Sequence, residues 1–118
     1  MGPLPETDLA RVRRYCQGRV PERVRDQVDI DYTTRGHSVT IVQRRPPGGT
    51  ATTSAATGSA WTTQRIAQLR YDESSPGWTL YWSDRNERWH AYDMVQPNQP
   101  VQVLLDEIEA DPTSIFWG

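Results

Sequence analysis

At 118 residues, with 36% hydrophobic content and a formal net charge of −2, the chain has the length of a single domain, 1–118, and material for one core. One cysteine, Cys16, excludes an intrachain disulfide, and with two histidines a Cys/His zinc site would be short of ligands, so neither a metal nor a cofactor is expected. There is no apolar run of membrane-spanning length and no leader or lipidation signal, so the expectation is a soluble, cytoplasmic protein that does not engage a membrane.

All thirteen basic residues are arginine, a pattern that more often reflects GC-rich coding than selection for guanidinium chemistry. Charge is uneven along the chain. Residues 1–45 hold nine arginines against six acids, and residues 93–118 hold five acids and no base. Such ends are complementary, which predicts N- and C-terminal helices lying side by side; a basic arm for an anionic partner is the alternative.

In chain order, Thr7 can cap a helix whose apolar positions Leu9, Val12 and Cys16 form one stripe, ending near Gly18 before Pro21. The arginines of 11–25 suit the negative end of a helix dipole, and Cys16 reads as a buried small hydrophobe. From Val28 the period changes to two. Val28, Ile30 and Tyr32 alternate with polar residues, as do Val39 and Ile41, which predicts a hairpin pairing Tyr32 with Val39, Ile30 with Ile41 and Val28 with Gln43 around an Arg35-Gly36 loop. Pro46 and Pro47 end that strand, and the small and polar residues to about 60 predict a flexible Ala/Thr/Ser/Gly loop, an insertion with no charged or aromatic anchor before Trp61.

The stretch 65–93, RIAQLRYDESSPGWTLYWSDRNERWHAYD, predicts a β-meander. Ala67, Leu69 and Tyr71 share one face, as do Trp78, Leu80 and Trp82. Pairing Tyr71 with Trp78, and Trp82 with Trp89 around a two-residue Arg85-Asn86 loop, joins these faces. Next, Pro100 opens a helix with the apolar stripe Val101, Leu104, Leu105, Ile108, which Pro112 stops. The tail residues Ile115, Phe116 and Trp117 are costly to leave in water, so they pack on the sheet or helix, or dock on another protein.

The blocks RGHSVTIVQRRPP, IAQLRYD, WTLYWSDRNERWHAYD and ADPTSIFWG, in that order, resemble an uncharacterised family of short bacterial proteins, domain of unknown function three-zero-two-four, over roughly residues 20–118. The resemblance implies a small bacterial, cytoplasmic protein; it implies no activity and carries no catalytic residues onto this chain.

The expected fold is therefore α+β: a five-stranded antiparallel sheet, made from a hairpin and a meander, with an N-terminal and a C-terminal helix on one face. The tryptophan-bearing face, Trp89 included, is the inner one. Asp29, Asp31, Thr40, Arg44, Gln68, Arg70, Thr79, Tyr81, Arg88, His90 and Tyr92 then face outward. There Arg70, Tyr81, Arg88, His90 and Tyr92 would form one binding patch able to stack on, and hydrogen-bond to, a flat or anionic group of a protein or ligand. This favours a small non-catalytic binding or interaction module. The alternatives are single-stranded nucleic-acid binding, against which the acidic balance and Asp29 and Asp31 weigh, and a small hydrolase or nuclease using His90 with Asp84 or Asp93, or a metal held by Asp72, Asp84 and Asp93. No lysine completes the usual nuclease set, and those aspartates sit at turns, where Asp serves local hydrogen bonding.

Overall fold

The computed structural model describes residues 4–19, 29–45 and 62–117. Helix α1 (Glu6–Arg19) precedes strands β1 (Asp29–Arg35), β2 (Ser38–Arg45), β3 (Thr62–Asp72), β4 (Gly77–Ser83) and β5 (Trp89–Ala91), and helix α2 (Val101–Ala110) follows. Each strand pairs antiparallel with its sequence neighbours in the order β1-β2-β3-β4-β5, the α+β architecture expected from the alternation. Val28, the Pro21 stop and the flexible loop expected at about 46–60 lie outside the described residues. Among the described residues no helix is long and apolar enough to cross a membrane.

Both helices cover one face. Val12 and Cys16 of α1 and Leu104, Leu105 and Ile108 of α2 join Ile41, Leu69, Trp78 and Leu80 of the sheet in one buried cluster. Helix α1 begins two residues earlier than a Thr7 cap would place it, with the Leu9 N–H donating to the Pro5 carbonyl at 3.0 Å. Glu6 and Asp8 occupy its first turn, where the helix dipole favours acids. Trp78, 1% exposed, donates its indole N–H to Asp8 Oδ2 at 2.8 Å and so fastens the start of α1 to the sheet. Pro100 stands at the cap of α2 rather than inside it, and Asp111 ends the helix in the left-handed region, with φ 43°.

The oppositely charged ends of the chain do meet. Arg19 pairs with Glu109 at 2.9 Å, and Tyr15 donates to the same carboxylate at 2.9 Å. The tail is folded back rather than free: the Asp111 carboxylate accepts from the backbone N–H groups of Phe116 (3.0 Å) and Trp117 (2.8 Å). The Trp117 indole donates to the Ile108 carbonyl, the Arg19 guanidinium lies 4.0 Å over its ring, and Phe116 is buried against Tyr92.

Three registers decide which side chains reach the open face. In the meander Tyr71 opposes Trp78, as predicted, and Leu69 opposes Leu80. In the first hairpin Tyr32 opposes Ile41 and Thr34 opposes Val39, two residues from the predicted pairing, around a Gly36-His37 loop. Gly36 has φ 59° at the first loop position, the arrangement of a type II′ turn, whereas the predicted Arg35-Gly36 loop put it second. An even shift leaves the faces unchanged.

The β4–β5 register is displaced by one, and that does change them. Trp82 opposes His90 and Ser83 opposes Trp89, so the predicted Trp82–Trp89 pair is not formed. The loop has three residues, Arg85, Asn86 and Glu87, not two. Asp84 Oδ1 accepts from the N–H groups of Asn86 (2.7 Å) and Arg88 (3.0 Å), the Glu87 N–H donates to the Asp84 carbonyl, and Glu87, not Asn86, takes the positive φ, 63°. This is a tight turn followed by a left-handed residue, the usual three-residue hairpin. A β-bulge adds a further flip: Ile41 opposes Ala67 but Val42 opposes Arg65. The extra residue, Ile66, is buried, and Arg65 is turned outward where unbroken alternation from Ala67 would point it into the core.

Candidate functional site: the outer face of the sheet

The face away from the helices carries an open concavity of about 1100 Å³ whose lining runs from Thr33 and Arg35 to Trp89 and stops short of Arg70, Thr79 and Tyr81, which lie beside it on the same face. Its side chains fall into rows across the strands. Arg35, Ser38, Arg70 and Thr79 form one row; Thr33, Thr40, Gln68, Tyr81 and Ala91 form the next. Beyond the bulge come Asp31, Val42 and Arg65 with Trp89 nearby, and then Asp29, Arg44 and Thr63.

The two ends of this face differ electrostatically. At the bulged end guanidiniums meet carboxylates: Arg44 Nη2 donates to Asp31 Oδ2 at 2.9 Å, and Arg65 lies 4.0 Å from the Glu87 carboxylate, 3.3 Å from its carbonyl and 5.9 Å over the Trp89 ring. At the other end His37 and Glu73 lie 3.6 Å apart in the adjoining loops, and the contacts of Arg70 are neutral. Arg70 lies 3.8 Å over the Tyr81 ring and donates through Nε to Gln68 Oε1 at 2.6 Å, while Gln68 donates to the Thr40 hydroxyl at 3.1 Å. No ion pair among the described residues involves Arg35 or Arg70.

Of the five residues predicted to form one patch, Arg70 and Tyr81 stand together here. The rest are dispersed by the β5 register. Arg88 is exposed at the end of the β4–β5 loop. His90 faces the opposite side, its ring stacked on Trp82 at 4.8 Å. Tyr92 belongs to the core at 4% exposure; its N–H donates to the Leu80 carbonyl and its hydroxyl to Glu107 at 2.9 Å. Burial, then the Glu107 carboxylate, pushes that hydroxyl up to about 12. In exchange the face gains Arg35, Arg65 and Trp89, which the sequence reading did not select. The signals were present in the buried doublet Ile66-Ala67, which marks the bulge, and in Asp84 at the first position of a tight turn.

The pairing of His90 with Asp84 is made, at 2.7 Å. The Arg88 backbone N–H, then the His90 ring, hold the Asp84 carboxyl down at about 2. That aspartate is thus committed to closing the turn. Asp72 binds the Ser74 hydroxyl and backbone at the other end of β4, roughly 20 Å from Asp84 at about 3.3 Å per strand residue, so Asp72, Asp84 and Asp93 do not converge on one metal. Among the described residues no group of three His, Cys, Asp or Glu could hold a metal ion. Burial, followed by Asp31 and Asp29, pushes the Cys16 thiol up to about 12, which leaves it a core residue and a poor nucleophile.

Comparison with curated proteins and with solved structures returns no match. The model of the family described as "Domain of unknown function (DUF3024)" matches residues 2–118, and the chain belongs to that family.

Proposed function

We propose that this domain is a non-catalytic binding module that takes an anionic partner on the outer sheet face, at the Arg35–Ser38–Arg70 row. The observation that carries the reading is the placement of two arginines in register on either side of a hydroxyl, with no carboxylate answering either one among the described residues. Arg35 and Arg70 stand two strands apart, about 10 Å between backbones, a separation that a phosphate or carboxylate seated over Ser38 bridges from both sides. Arg70 is already positioned by Tyr81 and Gln68, so less side-chain freedom is lost when it engages a ligand. The hydrolytic alternative has weaker support, because the Asp84 of its Asp84–His90 pair is occupied with the loop backbone. A single domain in a bacterial cytoplasm belongs to the same proposal.

Titration of the isotope-labelled protein with sodium tripolyphosphate, followed by amide NMR, tests it. Shifts are expected at Arg35, Ser38, Arg70 and Thr79, and are expected to vanish in an Arg35→Ala, Arg70→Ala double variant. An unresponsive face, or shifts confined to the arginines of α1, would overturn the reading.

A further inference from the structure

Resting on that anion-binding reading, we infer that the partner of the outer face is single-stranded nucleic acid, with phosphates held along the Arg35–Ser38–Arg70 row and unpaired bases stacked on Trp89 and on the Arg70–Tyr81 pair. Polymer rather than small molecule follows from the shape and lining. Small-ligand pockets are mostly apolar and of about 300–1000 Å³, whereas this concavity of about 1100 Å³ is open and lined chiefly by Thr, Ser, Gln and Arg.

The platforms follow from register. Trp89 lies opposite Ser83, and Tyr81 is two residues from Ser83 along β4, so Trp89 and Tyr81 are diagonal neighbours on one face, with backbones about 7–8 Å apart. Tyr81 carries the Arg70 guanidinium with its Cζ 3.8 Å from the ring centroid, and a guanidinium is itself a planar surface, which bases stack on as they do on aromatics. Thr33, Thr40 and Gln68 share the row of Tyr81, next to the phosphate row, and bring groups that donate and accept on base edges or sugars. Duplex does not suit this surface: paired bases keep their faces covered, and the two helices lie on the far side of the sheet, where neither can enter a groove from this face.

The acidic balance of the chain does not oppose the assignment, because the lining of the concavity holds four arginines, Arg35, Arg44, Arg65 and Arg85, against two acids, of which Asp84 is bound by the loop backbone and Glu87 faces Arg65, while Asp29 stands at the far edge opposite Arg44. Asp106, Glu107 and Glu109 sit on α2, behind the sheet, and Asp31 on the outer face is taken up by Arg44. A polyanion is turned away from the helical side and admitted on the strand side.

The test is fluorescence anisotropy at low salt with fluorescein-labelled dT12 and U12, a dT12·dA12 duplex, and poly-L-glutamate as competitor. Either single strand is expected to bind at least tenfold more tightly than the duplex and to resist displacement by poly-L-glutamate at matched charge. Arg35→Ala with Arg70→Ala should weaken binding at least tenfold and reduce the salt slope by about 1.4, at about 0.7 for each lost phosphate contact on a single strand. Trp89→Ala should weaken oligonucleotide binding about fivefold or more, the loss of one stacked base, while leaving the tripolyphosphate shifts in place. Equal binding of duplex, displacement by poly-L-glutamate, or undiminished binding by both variants with native melting curves overturns the assignment. If no oligonucleotide binds while tripolyphosphate still shifts the face, the nucleic-acid inference falls and the anion-binding reading stands; if tripolyphosphate is also without effect, both fall.

Discussion

Substituting Gly77 by alanine probes how tightly the loop after β5 is held against the sheet. Gly77 is buried at the start of β4, and a Cβ built there meets the backbone of Asn98 at 2.6 Å to both its C and Cα atoms and 2.8 Å to its O. Ordinary contact begins near 3.4 Å, so the backbone must retreat by roughly 0.8 Å. It cannot retreat freely. Asn98 is already in the left-handed region, and the next residue, Gln99, exchanges two backbone hydrogen bonds with Trp78, at 2.8 and 2.9 Å. Holding the bonds stores overpacking strain of about 1–3 kcal/mol, and breaking both forfeits about 0.5–1.5 kcal/mol each. Either route comes to about 2 kcal/mol, a fall in Tm of about 6–12 °C for a chain of this length. Thermal melting by circular dichroism, with amide exchange at Trp78 and Gln99, reads both the loss and its site. A fall under about 2 °C with unchanged protection at those amides would refute the close approach.

Trp78→Ala should cost about 3–5 kcal/mol in urea denaturation, and Trp82→Ala clearly less, because Trp78 is fully enclosed while Trp82 is half-buried beneath His90; equal losses would contradict the register of β5. Asp84 has a folded-state pKa depressed from 3.8 to about 2, so its contribution is complete above about pH 4 and is lost as pH falls toward 2; the Asn86 and Arg88 amide resonances should titrate in that window and not in Asp84→Asn. Cys16 is buried with its thiol raised to about 12, so a disulfide reagent at pH 8 should react only at the rate of unfolding, and fast labelling of the native protein would place the residue elsewhere.

The element types, their order and the helix-covered face were legible because hydrophobic alternation and helical stripes are local and were not contradicted by packing. Tyr71 with Trp78 could be paired from sequence for the same reason. The candidate face was legible only in part. Arg70 and Tyr81 lie on strands whose pairing is unambiguous, but His90, Tyr92 and Trp89 hang on the length of one loop, and Arg85-Asn86 reads as a two-residue turn on dipeptide chemistry alone. What tips the balance is the Asp84 side chain, which binds two backbone N–H groups and stabilises a loop one residue longer. Because side chains alternate, that single residue exchanges the two faces of β5. The bulge at Ile66 acts likewise on Arg65, since two buried residues in succession cannot both alternate inward on a regular strand.

The clasp of Arg19, Glu109, Asp111 and Trp117 has a consequence in time. The strands are made in mid-chain, whereas the two helices that cover them come early and late, so Val12 and Cys16 emerge from synthesis long before Leu104 and Ile108 exist to seal them. Until Trp117 has been added and folded back on Ile108, the nascent chain carries a sheet whose greasy side has only α1 to cover it, the kind of intermediate that chaperones engage and that self-associates when crowded. Losing the few residues after Asp111 should therefore reveal itself first as poor yield of soluble protein from living cells, ahead of any large change in the melting curve of the molecules that do fold.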